Sequence, residues 1–300
     1  MIKEFIGHGL KGMAMGAANV IPGVSGGTIA LITGIFERLI NAIKSFDVTA
    51  FQLILKGNFK DFSKHTDLSF LVTLFAGIGV AILSLARILE FLFAQHPTYV
   101  WAYFFGLVLA SVWFVGKSVG KWHYGSIISL IVGAAIAVSI TVMTPASENG
   151  ALWYLFICGI VAVCSMILPG LSGSFVLILM GNYQLVMIQA VNQFRLDILI
   201  PVIAGGAFGL MAFSRLLSWL MKRFPHSTIA LLTGFIAGSL GILWPWKHEL
   251  TETFGDKTKV IGYDWLWPQT DATFWFAVLL FLGGIATIYA TELIARKKTE

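Results

Sequence analysis

The chain contains the sequence IPGVSGGT at residues 21–28 and a near copy, LPGLSGSF, at residues 168–175. In a chain of 300 residues each copy therefore falls early in one half. Each copy interrupts an apolar segment with Pro, Gly and Ser, which are poorly suited to the middle of a membrane helix. A hydrophobic segment broken by Gly and Pro at corresponding places in two halves is the sequence sign of a transporter's binding site.

The composition places the chain in a membrane. Hydrophobic residues make up 57% of it and charged residues only 12%, whereas soluble domains carry about 25% charged residues. The two cysteines and six histidines lack the spacing of a disulfide framework or a zinc site. We therefore expect no metal and no cofactor. The net charge of +5 does not require nucleic acid, because lysines beside membrane spans account for it.

The apolar segments predict an all-α polytopic membrane protein. A helix needs about 20 apolar residues to cross a bilayer. Six stretches meet this length, at residues 68–94, 99–116, 125–144, 198–221, 227–246 and 272–295. The motifs lie in two further apolar regions, 12–36 and 151–191. We predict that each of these is a re-entrant hairpin, which enters as a half-helix, breaks at the motif and leaves on the same side.

The duplication extends beyond the motifs. One alignment of the two halves matches Arg87 with Arg215 and Pro97 with Pro225. This alignment is shifted from that of the motifs, and the segment 44–66, present only in the first half, absorbs the difference. We predict that this segment lies along the membrane surface. The repeats are thus residues 1–147 and 148–300, and each contains one hairpin followed by three spans. Because three is odd, the second repeat must start from the opposite face, so the repeats are predicted to be inverted.

The basic residues predict the orientation. With the N-terminus inside, the inner loops hold fourteen of them and the outer loops four, so both termini are expected in the cytoplasm. The outer four are Arg195, Lys247, Lys257 and Lys259. The inner residues are Lys3, Lys11, Arg38, Lys44, Lys56, Lys60, Lys64, Lys117, Lys121, Lys222, Arg223, Arg296, Lys297 and Lys298.

The motifs have the residue types of an anion site. Proline ends the entering half-helix, and the glycines let a ligand approach the backbone. Ser25 or Ser172 can cap the departing half-helix, whose first turn presents unpaired N–H groups suited to phosphate. Two such ends would point to one site near mid-membrane. The alternative is that small residues only let helices pack closely. The duplication favours the binding site.

Two arginines fall inside predicted spans. An arginine there costs about 2.5–3.5 kcal/mol even on the lenient scale and usually faces a partner or a cavity. Arg87 has Glu90 three residues on, so an ion pair is the alternative to a ligand role, whereas Arg215 has no acid within helical reach. A guanidinium can hold phosphate oxygens in a bidentate fork. Glu37 and Arg38 form a surface pair by default, and a gating or ion-coupling role is the alternative.

The paired motifs and arginines resemble those of the PopT-type polyprenyl-phosphate transporter family of bacteria over nearly the whole chain. This resemblance implies recycling of undecaprenyl phosphate across the cytoplasmic membrane. It also implies a set of residues around the phosphate: Ser25, Gly26, Gly27, Thr28, Ser172, Gly173 and Ser174, with Arg87 and Arg215 as head-group ligands. The second motif departs from the first, with Ser174 for Gly27 and Phe175 for Thr28, so the half-sites need not be equivalent.

Three classes of function remain open at this stage. Translocation of a lipid phosphate leads, and an exporter or channel for small anions is the second, since the same helix ends would hold sulfate or chloride. A membrane lipid phosphatase is third, because none of the six histidines has the setting of a nucleophile. Without a P-loop or an acid–base cluster, the chain is expected not to be an enzyme. A coupling proton or sodium ion cannot be identified from the residues.

Overall fold

A computed structural model of the protein describes residues 2–20, 26–143, 145–255 and 257–296. At residues 2, 3, 20, 85–87, 89, 90, 257, 259 and 291–296 the description covers the backbone alone. The protein is mostly helical (77%). Its α-helices are α1 (Ile2–Val20), α2 (Gly26–Ile32), α3 (Phe36–Lys44), α4 (Val48–Leu55), α5 (Phe59–His65), α6 (Leu68–Gln95), α7 (Pro97–Lys117), α8 (Tyr124–Val142), α9 (Leu152–Ile167), α10 (Gly173–Leu179), α11 (Leu196–Arg223), α12 (Pro225–Gly238) and α13 (Ala272–Arg296).

Each of the six stretches predicted to span the membrane is a helix, namely α6, α7, α8, α11, α12 and α13. Five helical stretches, in α7, α8, α11, α12 with its 3-10 extension Ser239–Leu243, and α13, are long and apolar enough to cross a bilayer. Three pairs of bent helices raise the number of candidates to as many as eight among the described residues. The protein is therefore a multi-pass membrane protein.

Each motif is followed by a sharply bent pair of helices. The first pair, α2 and α3, bends by 117°, and the second pair, α10 and the π-helix Gln184–Ala190, bends by 112°. Gly34 and Gly181, which stand at the same distance after their motifs, form the bends with φ of +69° and +72°, a backbone conformation that favours glycine. The first hairpin was predicted to begin at residue 12, but α1 begins at Ile2. Whether the hairpins are re-entrant stays a prediction.

The chain folds into two compact units. The first contains Met1–Arg87 and Pro145–Pro225, and the second contains Ile88–Thr144 and His226–Glu300. Each unit therefore takes residues from both halves of the sequence. The division into repeats 1–147 and 148–300 describes a different property, the duplication of the sequence, and it stays a prediction.

Glycines bring the helices of the first unit into backbone contact. A Cβ atom on Gly12 of α1 would meet the carbonyl oxygen of Leu74 in α6. A Cβ atom on Gly159 of α9 would meet the carbonyl oxygen of Val202 in α11. Because Gly12 and Gly159 stand at the same distance before their motifs, the same type of close helix packing occurs at matching positions in both halves.

The second unit uses the same kind of contact between the halves. A Cβ atom on Gly106 of α7 would meet the carbonyl oxygen of Phe281 in α13, and one on Gly234 of α12 would meet that of Leu130 in α8. Gly106 and Gly234 match in the same alignment of the halves that pairs the two arginines. Each of these contacts joins a helix of the first half to a helix of the second half.

The segment predicted to lie on the membrane surface, 44–66, contains the short helices α4 and α5. Asp47 caps α4 by accepting a hydrogen bond from the backbone N–H of Ala50 at 3.0 Å, and this bond lowers the pKa of the carboxyl. Phe51, Leu55 and Phe59 are exposed. Exposed apolar side chains near lysines suit the membrane interface, and that location stays a prediction.

The all-α prediction was wrong for residues 247–265. Strand β1 (Lys247–Phe254) pairs antiparallel with β2 (Lys257–Trp265), with a register shift between Leu250 and Thr251. Most β1 side chains are exposed, so the segment lacks the apolar signal of a buried strand and reads as a polar loop. The dipeptide Gly255-Asp256 is a signal for a hairpin loop that the sequence does contain.

Candidate functional site

The described part of the first motif, residues 26–28, forms the start of α2. Residues 21–25, including Ser25, lie outside the described part of the chain, whereas Gly26, Gly27 and Thr28 are buried. The backbone N–H of Gly26 donates to Oδ1 of Asn19 at 2.8 Å. Asn19 lies near the end of α1, so its carboxamide ties the first turn of α2 to the helix before the break.

The second motif forms the turn between α9 and α10. Ser172 is the N-cap residue of α10, as its position predicts, but its side chain makes no capping hydrogen bond. Its hydroxyl lies 3.0 Å from the hydroxyl of Ser174 instead. The expected capping role of Ser172 is therefore wrong. A Cβ atom on Gly173 would lie 2.7 Å from both the carbonyl oxygen of Ala162 and Cγ of Met166.

A hydrogen bond joins the two motifs. The N–H of Gly170 donates to Oγ1 of Thr28 at 3.1 Å. Thr28 is only 2% exposed, and Gly170 is also buried and has a φ of +82°. Because a buried amide left without an acceptor costs about 1–3 kcal/mol, this bond is favoured over separation of the two turns. The structure thus brings together two segments that lie far apart in the sequence.

The two arginines predicted to bind the head group, Arg87 and Arg215, differ in how much of their surroundings the structure describes. Arg215 is exposed on α11 and makes no hydrogen bond or ion pair with any residue that the structure describes. The side chains of Arg87 and Glu90 lie outside the described residues, so the choice between their ion pair and a ligand role for Arg87 stays open.

Arg38 is the centre of a polar cluster beside the first hairpin. Its Nε donates to Asp67 at 2.6 Å and its Nη2 donates to the other carboxylate oxygen at 3.1 Å. Nη1 lies 3.1 Å from Nε2 of His8, and the guanidinium lies 4.4 Å from the ring centre of Phe70. A cleft of about 460 Å³ borders this cluster, and Glu37 is among the residues lining it.

The two bends differ in their surroundings. A Cβ atom on Gly34 would meet nothing within 4 Å, whereas one on Gly181 would meet the carbonyl oxygen of Ala146. Next to Gly181, the buried Asn182 exchanges two hydrogen bonds with the backbone of Asn149, at 2.9 and 2.8 Å. The second bend is therefore packed against neighbouring segments, whereas the Cβ position at Gly34 is open.

The sequence analysis missed a half-buried lysine in the second unit. The ammonium of Lys247 lies 3.5 Å from the ring centre of Trp101 and 4.8 Å from that of Tyr263, and it donates to the carbonyl oxygen of Ile242. Burial lowers the pKa of Lys247 to about 7, although nearby Glu249 opposes the shift. Burial also raises the pKa of Tyr263. The sequence analysis counted this lysine among the basic residues of the outer loops.

The missed Asn19 did leave a signal. It is a polar residue in an otherwise apolar stretch two positions before the first motif. Together the contacts make a compact junction of small residues, hydroxyls and backbone amides. Such groups can replace part of the water around an anion.

The chain matches known proteins over most of its length. The profile of a family described as "VCA0040-like: Undecaprenyl phosphate translocase-like" matches residues 15–261. The polyprenyl-phosphate transporter of Vibrio cholerae serotype O1 is 37% identical over 297 residues, which cover 96% of each chain. The polyprenyl-phosphate transporter of Staphylococcus aureus is 30% identical over 258 residues, 79% of this chain and 85% of the relative. No solved structure shows a significant match.

Proposed function

Because the chain belongs to the undecaprenyl phosphate translocase-like family, we propose that it moves undecaprenyl phosphate across the bacterial cytoplasmic membrane. The phosphate head group binds at the junction of the two motifs, and the polyprenyl tail stays in the lipid. No bond of the substrate breaks, so the protein is a transporter and not an enzyme.

The hydrogen bond between Thr28 and Gly170 is the observation that carries this proposal. It supports one shared site, because it holds the two broken segments against each other. A bare ionised group in hydrocarbon costs tens of kcal/mol by the Born estimate, so the protein must supply polar groups at one place. The hydroxyls of Ser25, Ser172 and Ser174 and the backbone N–H of Gly173 are the groups we assign to the phosphate, with Gly26 and Gly27 lining the site, because the N–H of Gly26 already donates to Asn19.

The arginines complete the site in our proposal. Arg215 has no partner among the described residues, which supports a role with an external anion. Arg87, its counterpart in the first half, takes the same role from the other face. A guanidinium suits this work because its planar fork matches two phosphate oxygens.

The proposed topology follows from the repeated elements. Helices α6 and α11 each have 28 residues, and α2 and α10 each have seven. With the bends of 117° and 112°, these lengths support two repeats of one hairpin and three spans. We take the repeats as inverted, the hairpins as re-entrant and both termini as cytoplasmic, since the basic residues favour the inner loops.

We propose that the first hairpin controls access to the site. Glu37, Arg38 and Glu90 are the groups we propose for gating or ion coupling. The ion pair of Arg38 with Asp67 supports this role, because it attaches α3 to the residue before α6 through charges that water can reach. The pair lies near the bend at Gly34, where an added Cβ atom would meet nothing within 4 Å.

The test is reconstitution of the full chain into liposomes that contain a short polyprenyl monophosphate with a fluorescent tail. A phosphatase added outside removes the phosphate from lipid in the outer leaflet only. A working translocator should make the inner-leaflet lipid available to the phosphatase as well. Protein-free liposomes and liposomes with heat-denatured protein are the controls.

The same liposomes separate the alternatives. Loss of trapped sulfate or phosphate without exposure of the lipid would identify a small-anion exporter or channel. Release of phosphate from the lipid without added phosphatase would identify a lipid phosphatase. Either result contradicts the proposal.

A further inference from the structure

We propose that Asn19 and Thr28 are positioning residues that hold the two motifs together as one rigid site, and that neither of them contacts the phosphate. This inference rests on the proposed function, since the site being positioned is the proposed head-group site. Thr28, which was expected to lie against the phosphate, becomes a positioning residue. Asn19, for which the sequence analysis gave no role, becomes one as well.

Thr28 already has a partner at the place where a ligand would bind. Its Oγ1 accepts the N–H of Gly170 at 3.1 Å in buried surroundings. Gly170 lies in the turn between α9 and α10 with a φ of +82°, a conformation that favours glycine. The bond therefore fixes where the second motif stands relative to α2.

Asn19 fixes α2 in turn. Its carboxamide accepts the N–H of Gly26 at 2.8 Å, and a Cβ atom on Gly26 would lie 2.8 Å from the same oxygen. At the other end of α2, Nζ of Lys11 donates to the carbonyl oxygen of Thr33 at 2.8 Å. Helix α2 is thus held to α1 at both ends, and Thr28 connects it to the second motif between them.

The second hairpin cannot return this contact. When the two motifs are aligned, the counterpart of Thr28 is Phe175, and the counterpart of Asn19 is Met166. Neither side chain offers an oxygen acceptor. Met166 instead lies beside Gly173, where a Cβ atom added to the glycine would be only 2.7 Å from Cγ of Met166. The two hairpins therefore contribute differently to the junction, and the side-chain acceptors come from Asn19 and Thr28 of the first half.

A fixed junction has a mechanistic consequence. Parting of the two motifs would take the acceptor from the Gly170 amide, which is costly if that amide stays buried, so we expect the junction to stay closed while the head group passes. Access must alternate around a site that stays assembled, as in transporters whose parts rock about a fixed site.

Hydrogen exchange in the ligand-free protein tests the positioning directly. In full-length protein without any lipid phosphate, Thr28→Val removes the acceptor and keeps the shape. Peptides that contain Gly170 should then gain one fast-exchanging amide. Thr28→Ser keeps the oxygen and should restore protection. Thr33→Val is the matched control, because its hydroxyl bonds only to carbonyl oxygens of its own helix, those of Ile29 and Ala30.

Binding of a short polyprenyl monophosphate, with the corresponding alcohol as reference, gives the second readout. Thr28→Val should bind it about tenfold more weakly, the equivalent of about 1.4 kcal/mol, while Thr28→Ser and Thr33→Val stay near wild type. Asn19→Leu should weaken binding in the same way and should expose the amide of Gly26. If Thr28→Val does not fold, the comparison of Asn19→Leu with wild type decides.

The outcomes are distinct. If exchange at Gly170 is unchanged in Thr28→Val but binding falls, Thr28 is a direct ligand and the inference is wrong. If Thr28→Val and Thr33→Val behave alike in both measurements, the inference is also wrong. If the wild type does not prefer the monophosphate to the alcohol, the proposed function itself fails.

Discussion

Lys247 offers the sharpest test of the electrostatics in this protein. Its ammonium sits between the rings of Trp101 and Tyr263 at the start of the β-hairpin formed by β1 and β2. Replacing it with Met keeps a long side chain that packs well against aromatic rings and removes the charge. We predict that Lys247→Met makes docking of the β-hairpin stronger below neutral pH and independent of pH.

The magnitude follows from the pKa. The usual pKa of lysine is 10.5, and burial lowers that of Lys247 to about 7. A shift of one pKa unit corresponds to about 1.4 kcal/mol, so the full shift of the pKa of Lys247 corresponds to about 5 kcal/mol at most. The docked state prefers the neutral amine. Docking should therefore strengthen as the pH rises from about 7 towards 10.5, and it should lose this contribution as the pH falls.

The assay is hydrogen-exchange mass spectrometry on peptides from residues 247–265, corrected for the intrinsic exchange rate at each pH. In the wild type the protection of these amides should increase about tenfold per pH unit between pH 7 and 9. In Lys247→Met it should stay constant and exceed that of the wild type at pH 6. Lys121→Met, an exposed lysine of the same unit, is the matched control and should keep the wild-type slope.

The reasoning has a clear point of failure. His248, Glu249 and Tyr263 are the other titratable groups next to the lysine, and any slope that persists in Lys247→Met would belong to them. An unchanged slope in this variant would refute the assignment to Lys247. Weaker protection than wild type at pH 6 would show that the two rings stabilise the charge more than burial opposes it.

Three further predictions concern packing and the proposed site. Gly106→Ala places a methyl group against the carbonyl of Phe281 and should lower stability by about 1–3 kcal/mol in thermal unfolding, while Gly283→Ala, which meets nothing within 4 Å, should not. Ser172→Ala should weaken binding of polyprenyl monophosphate by about 1–3 kcal/mol without disturbing α10, because no capping bond is lost; a drop in helix stability instead would contradict this role. Arg215→Gln should abolish translocation and Arg215→Lys should restore it only in part, since lysine lacks the planar fork; full activity of Arg215→Gln in the liposome assay would remove this arginine from the site.

The helices could be predicted from the sequence because each has a strong local signal. Long apolar runs mark the spans, and Pro97 and Pro225 stand at the first positions of α7 and α12, where proline fits a helix best. The β-hairpin was missed because its exposed side chains follow no apolar alternation, and only the Gly255-Asp256 dipeptide indicated it.

The candidate site could be predicted only in part. The motifs indicated where the helices break, but the bond between Thr28 and Gly170 joins residues from opposite halves of the chain, and no local pattern specifies such a partner. The burial of Lys247 is of the same kind, since Trp101 comes from a distant helix. The capping role of Ser172 failed although the residue stands at the N-cap position, because that position alone does not set the direction of its hydroxyl.

The contacts of the second unit have a consequence for how the protein is made. Helix α7 rests on α13 and α8 on α12 through Gly106 and Gly234, so the ribosome releases one partner of each pair long before the other exists. The first half must wait in the membrane with these glycine faces open to lipid until the second half arrives.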